Sequence, residues 1–228
     1  MVMITDRGLF IKQIIEYRNY KKYLEIGLSN NPRAPYRLLD NIEIKHSVDI
    51  GAETGADFIM NSDLFFENLK NGNFSLQKDY KWDAIFIDGD HNAEQVFKDL
   101  NNAFDHLTDD GIIFIHDILP SEYSRALEMQ VANITLALCD AWKVVHYCLK
   151  HRPDMHVCSL EEGDPNPCGL AVILKNNNNN RIVLHPKQNL FYQFSQMSEN
   201  KSKFMNVIDN KDIFKWIENP YYNYLNIK

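Results

Sequence analysis

Residues 82–120 read WDAIFIDGDHNAEQVFKDLNNAFDHLTDDGIIFIHDILP, and this stretch decides the fold. It holds two short apolar runs, Ala84 to Ile87 and Ile112 to Ile115. Runs this short and this rich in isoleucine and phenylalanine predict buried strands. Between them Val96, Leu100, Ala103, Phe104 and Leu107 recur at a helical period, which predicts a helix from about Ala93 to Leu107. Asp109-Asp110-Gly111 reads as the turn into the second strand. In such a strand–helix–strand unit the strands run parallel, so both end on one edge of the sheet. The first run is closed by Asp88-Gly89-Asp90-His91 and the second by His116-Asp117. Ligands of open α/β sheets bind at that edge. Asp88, His91, His116 and Asp117 are therefore the candidate catalytic or metal-binding residues.

The same alternation extends upstream. An amphipathic helix is predicted over Gly8 to Tyr20, then strands at Lys22 to Ile26, Lys45 to Ile50 and Ala56 to Met60. Asn30-Asn31-Pro32 breaks the chain, and Ala34 to Asp40 reads as a short helix. Ser62 or Asp63 caps a further helix through Leu64, Phe65, Phe66 and Leu69. Downstream of Pro120 a helical region runs from about Ser124 to His151 in two pieces, with Trp142, Val145 and Leu149 on one face. Strands at Met155 to Leu160 and Leu170 to Leu174, joined by a turn-rich loop, read as a hairpin. Asn176 to Asn180 reads as a surface loop, followed by helical patterns at Phe204 to Ile208 and Ile213 to Ile217. The fold class is thus α/β: a doubly wound, mostly parallel sheet with an antiparallel addition. Residues 1–175 are expected to form the main domain, with 176–228 a helical extension packed on it.

Composition excludes several classes. The formal charge of −7 and the lack of a Lys/Arg run argue against a nucleic-acid partner. No apolar run reaches the roughly 20 residues of a membrane span, and the first residues lack a signal-peptide layout. A cytoplasmic protein is expected. Cys139, Cys148, Cys158 and Cys168 form no CxxC pair and read as reduced thiols. There is no GxGxxG for a dinucleotide, no GxxxxGK[ST] loop and no GxSxG elbow. A homo-oligomer is left open.

What remains is an ordered series of polar strand ends. Glu25-Ile26-Gly27 closes the first strand, and a glycine there lets backbone approach a ligand. Asp49 closes the second, where a carboxylate can accept both ribose hydroxyls of an adenosine. Asn61, Ser62 and Asp63 follow the third, where an adenine could be held. The order EIG, Asp49, NSD, FIDGDH, DDGIIFIHD resembles the class I S-adenosylmethionine-dependent methyltransferases. More narrowly, it is similar to their small-molecule branch, whose fourth strand ends in IDGxH and whose fifth ends in HD. The resemblance spans roughly Tyr20 to Lys175.

That resemblance implies a seven-stranded Rossmann-like sheet with the seventh strand antiparallel. It implies S-adenosylmethionine as cofactor, with Glu25, Gly27, Ser29, Asp49, Asn61, Ser62 and Asp63 around it. It implies Asp88 beside donor and acceptor, and acids at the fourth and fifth strand ends as ligands of Mg²⁺ or another divalent cation. Asp88, Asp117 and, for a softer ion, His116 are the candidate ligands. The family has a second glycine four residues after the first, where this chain has Asn31. Asparagine tolerates left-handed backbone better than most residues, while a weakened or degenerate cofactor site is the competing expectation. The expected reaction is O-methylation of a sugar, a glycan precursor or another small hydroxylated metabolite. His91 or a divalent ion would deal with the hydroxyl proton. An N-methyltransferase and a catalytically silent binding module are the rival readings.

Overall fold

The computed structural model describes residues 6–122, 126, 140–163, 168–177 and 192–221. It divides into two compact units, Asp6–Ile115 and the chain from His116 onward. The chain's seven strands and flanking helices give a mixed, doubly wound α/β fold.

In the first unit five strands lie in the order β3-β2-β1-β4-β5. They are β1 (Lys22–Ile26), β2 (Ile44–Asp49), β3 (Phe58–Ile59), β4 (Trp82–Ile87) and β5 (Leu107–His116), all paired in parallel. Strands covered on both faces read as continuous apolar runs, and Ala84, Ile85, Phe86 and Ile87 are all buried. The helices are α1 (Arg7–Tyr17), α2 (Pro35–Leu38), α3 (Ser62–Asn71) and α4 (Ala93–Asp105). On α4 the predicted stripe is the buried one: Val96, Leu100, Ala103 and Phe104, joined by Phe97. Phe58, Phe65 and Phe74 pack ring on ring, with centroids 4.7 to 5.5 Å apart, which places Phe65 in the core.

One expectation is corrected here. Asp109, Asp110 and Gly111 do not separate a helix from a strand; they lie inside β5. Trp82 pairs with Leu107 and Ala84 with Ile112, so Asp83 alone faces Thr108 to Gly111, a bulge. Its cause is Asp83. The carboxylate accepts the backbone N–H groups of Lys21 at 2.9 Å and Lys22 at 3.0 Å, and the Thr108 hydroxyl at 3.3 Å. Tyr20 donates its hydroxyl to the Asp110 carbonyl at 2.5 Å. Strand pairing therefore starts five residues earlier than the apolar run, at Leu107.

The second unit holds α5 (Trp142–His151) and the antiparallel pair β6 (Met155–Leu160) and β7 (Leu170–Lys175). Trp142 and Val145 are buried, as the helical pattern requires. The rest of the predicted helical region lies outside the described residues apart from Ala126 and Asp140–Ala141. Three short helices follow: α6 (Phe194–Glu199), α7 (Lys201–Phe204) and α8 (Ile213–Glu218). The pattern at Phe204 to Ile208 is not a helix. Val207 instead forms a parallel bridge with Ser159, its neighbours exchanging backbone bonds with Ser159 at 3.0 Å each. The segment so covers a strand that would otherwise offer unpaired backbone. Asn176 is likewise not a surface residue. It is buried, donating its side-chain amide to the Pro153 carbonyl at 2.9 Å and its backbone N–H to Asp154 at 2.8 Å. Asn178 to Asn180 lie outside the described residues.

Candidate functional site

Strand register aligns the first unit's polar ends. Ile26 pairs with Val48 on one side and Ile87 on the other, so Gly27, Asp49 and Asp88 stand in one row at the carboxyl edge. The Gly27 N–H donates to Val48 and the Asp88 N–H to Ile26, each at 2.8 Å. Gly27 is left-handed, with φ 88°. A Cβ there would lie 2.3 Å from the Asp88 carbonyl oxygen and 2.5 Å from the Gly89 Cα. Only glycine lets these two strand ends close on each other.

Asp88 is the centre of this edge. Arg7 Nη2 lies 3.2 Å from one of its oxygens and His91 Nε2 lies 3.4 Å from the other. The Arg7 guanidinium also sits 5.5 Å from the centre of the Phe86 ring. Arg7 reaches the site because α1 packs tightly on the chain ahead of α2: a Cβ on Gly8 would meet the Arg33 carbonyl. His91 does not cap α4; Asn92 holds that position. Asp90 is exposed and accepts both amide groups of Asn92, at 2.9 and 2.6 Å.

Glu25 faces inward rather than toward the edge. One oxygen accepts the Tyr23 hydroxyl at 2.7 Å and the Tyr36 backbone N–H at 2.8 Å. It thereby ties the start of α2 to β1, fixing the loop between them. Burial, opposed by those hydrogen bonds, pushes its carboxyl up to about 7. Ser29 is exposed; its hydroxyl accepts the Asn31 N–H at 3.2 Å and its carbonyl accepts Arg37 at 3.2 Å. Asn31 is not among the residues with positive φ, and its side chain accepts the Arg33 N–H at 2.9 Å. The tolerance of asparagine for left-handed backbone is not used here; a local side-chain turn forms instead.

Asp49 is half-buried and accepts the Gly51 N–H at 2.6 Å. Asn61 caps α3 by accepting the Leu64 N–H at 2.8 Å. Gln95 of α4 donates to Ser62 at 3.2 Å, Asp63 at 3.0 Å and Asp99 at 3.1 Å. Burial raises the Asp99 carboxyl to about 6. These bonds pin α3 to α4, leaving Asn61 and Asp63 exposed beyond the β3 end.

His116 and Asp117 open the second unit, both buried. His116 Nδ1 lies 3.2 Å from Asp117, and Nε2 lies 3.0 Å from Glu162. Neither Arg7 nor Glu162 was singled out by the sequence pattern. Arg7 stands 81 residues from Asp88 and Glu162 lies 46 from His116, with no local signal linking them. The same unit has a groove of about 600 Å³ lined by Trp142, Lys143, Tyr192, Phe194 and Ser195 among others. Trp142 is otherwise a core residue, 1% exposed.

Residues 38–118 match the family model of a methyltransferase domain. That match covers about a third of the chain. The chain has the Rossmann-like fold of solved methyltransferases, as similar structures show. The O-methyltransferase from Bacillus cereus in complex with SAH is 12% identical at a TM-score of 0.55, over 75% of this chain and 80% of that one. The O-methyltransferase TomG from Streptomyces achromogenes, involved in tomaymycin synthesis and solved with SAM, is 14% identical at 0.53 over the same shares. Cofactor-bound Rv0187 from MTB is 13% identical at 0.57, over 77% and 82%. No curated protein sequence matches the chain. Among the described residues of this methyltransferase-fold chain, no helix is long and apolar enough to cross a membrane.

Proposed function

We propose that the protein transfers a methyl group from S-adenosylmethionine to a hydroxyl of a sugar, glycan precursor or other small metabolite. The observation that carries this reading is the row Gly27, Asp49, Asp88 across three adjacent parallel strand ends. S-adenosylmethionine supplies an activated methyl on sulfur, and the residues present fit it. Gly27 leaves a strand end bare of side chain, and Asp49 uses one of the roughly four acceptor sites of a carboxylate on Gly51. The others suit the ribose hydroxyls. Asn61, Ser62 and Asp63 would border the adenine, with Glu25 and Ser29 shaping the loop that follows Gly27.

Methyl transfer is an in-line displacement, so the protein chiefly aligns acceptor and methyl carbon. Asp88 would orient the acceptor hydroxyl, and His91 would take its proton as the oxygen attacks. Arg7 positions Asp88 and holds a positive charge beside it.

Titration calorimetry of the full chain with S-adenosylmethionine tests this reading. One site per chain is expected, weakened at least tenfold by Asp49→Ala. Absence of binding overturns the enzyme reading and favours a silent module.

A further inference from the structure

We propose that His116, Glu162 and Cys168 form a buried site for a zinc-class transition-metal ion. One ligand atom from each lies within 4.8 Å of the other two. All three residues are buried, at 7%, 6% and 7% exposure. The 3.0 Å between His116 Nε2 and Glu162 Oε2 is close to the edge of a metal tetrahedron. Arms of about 2.0 Å put neighbouring N and O ligands about 3.3 Å apart.

The surroundings fit a ligand set. Asp117 lies 3.2 Å from His116 Nδ1, so a carboxylate can hold the proton there and turn Nε2 into the ligand nitrogen. Asp117 takes a left-handed φ of 59°, an uncommon backbone for a residue other than glycine. The backbone is tied across the site, with Leu119 N–H donating to the Cys168 carbonyl at 2.7 Å. Asn210 clamps the neighbouring Glu161 carbonyl at 2.9 Å.

The donor chemistry decides the ion. A thiolate, an imidazole and a carboxylate select zinc or its neighbours; Mg²⁺ and Ca²⁺ want oxygen alone. A thiolate and a carboxylate also neutralise a divalent charge, which makes burial of both acids affordable. Three protein ligands leave a fourth position for water or a ligand oxygen, the pattern of reactive rather than closed zinc sites.

The test strips the full-length protein with a chelator and titrates it with Co²⁺ alone, a spectroscopic stand-in for zinc. The expected result is about one Co²⁺ per chain with a sulfur-to-cobalt charge-transfer band. Cys168→Ala should abolish the band, whereas Cys148→Ala, at a buried thiol elsewhere in the unit, should keep it. Glu162→Gln should weaken binding at least tenfold and retain the band, which covers the case in which Cys168→Ala fails to fold. The proposal is overturned by wild-type protein without stoichiometric binding or without the band, or by a band that survives in folded Cys168→Ala. His116 would then be a buried histidine held between two carboxylates. None of these readouts uses S-adenosylmethionine, so this proposal and the methyl-transfer reading fail separately.

Discussion

Two arginine–aspartate pairs, one in each unit, show how the same chemistry serves different ends. Arg152 grips Asp154 through two parallel contacts, 2.9 and 2.8 Å, with side chains 0% and 4% exposed. Arg7 meets Asp88 through one contact of 3.2 Å, with side chains 24% and 14% exposed. The first pair is local, two residues apart, and sealed. The second joins α1 to the end of β4 and shares its carboxylate with His91. A sealed bidentate pair holds a chain reversal together. A single, partly solvated contact leaves a carboxylate accessible to an incoming substrate.

The largest effects should therefore cross over between the pairs. Asp88→Ala is expected to lower methyl transfer about 100-fold or more, the scale of a lost proton-handling or orienting group. Its stability should change by only about 1 kcal/mol, as for solvent-accessible pairs. Asp154→Ala should do the opposite, costing about 3–5 kcal/mol by leaving the buried Arg152 charge without its carboxylate. Urea unfolding alongside initial rates per folded molecule reads both. Equal losses of stability in the two variants would erase the distinction.

How much of this was legible in the chain depends on range. The five parallel strands and α4 follow from runs and periods of adjacent residues, so they stand in the sequence nearly as they fold. Asp49 and Asp88 were readable for the same reason, being simply the next polar residues after apolar runs. The bulge in β5 was not, because Asp83 creates it through Lys21, Lys22 and Thr108, residues from two other segments. Arg7 and Glu162 were invisible likewise. Their partners are chosen by packing, and no spacing rule connects positions 7 and 88 or 116 and 162. Asn176 misled because a low-complexity run reads as solvent, while its first member fills backbone valences at Pro153 and Asp154.

Glu25 supplies an intermediate case, a buried carboxylate whose hydrogen-bond donors are the neutral Tyr23 hydroxyl and Tyr36 amide. Its folded pKa of about 7 lies above the ordinary 4.5, so folding favours the protonated form. Below pH 4.5 the charge costs nothing; the cost grows as pH rises and is complete above 7. Stability should thus fall by on the order of 3 kcal/mol across that window. Glu25→Gln keeps an acceptor for both donors and should remove most of this slope. Asp99, raised to about 6, keeps a smaller fall ending near that pH. Denaturant unfolding from pH 4 to 8 checks it, and an undiminished slope in the variant would mean that another group titrates.

The smallest expected effect concerns Asn31, the one departure from the glycine pattern. If the family glycine were needed for left-handed backbone, Asn31→Gly would restore cofactor affinity. The backbone here is not left-handed, and the asparagine side chain already closes the turn onto the Arg33 N–H at 2.9 Å. Glycine would forfeit that bond and add chain entropy to the unfolded state, costing about 0.5–1 kcal/mol. Affinity for S-adenosylmethionine should stay within about threefold, a difference of roughly 0.7 kcal/mol. A gain of tenfold would show that the loop after Gly27 is held closed by Asn31. The Gly27–Asp88 edge would then need that loop to open before the cofactor could enter.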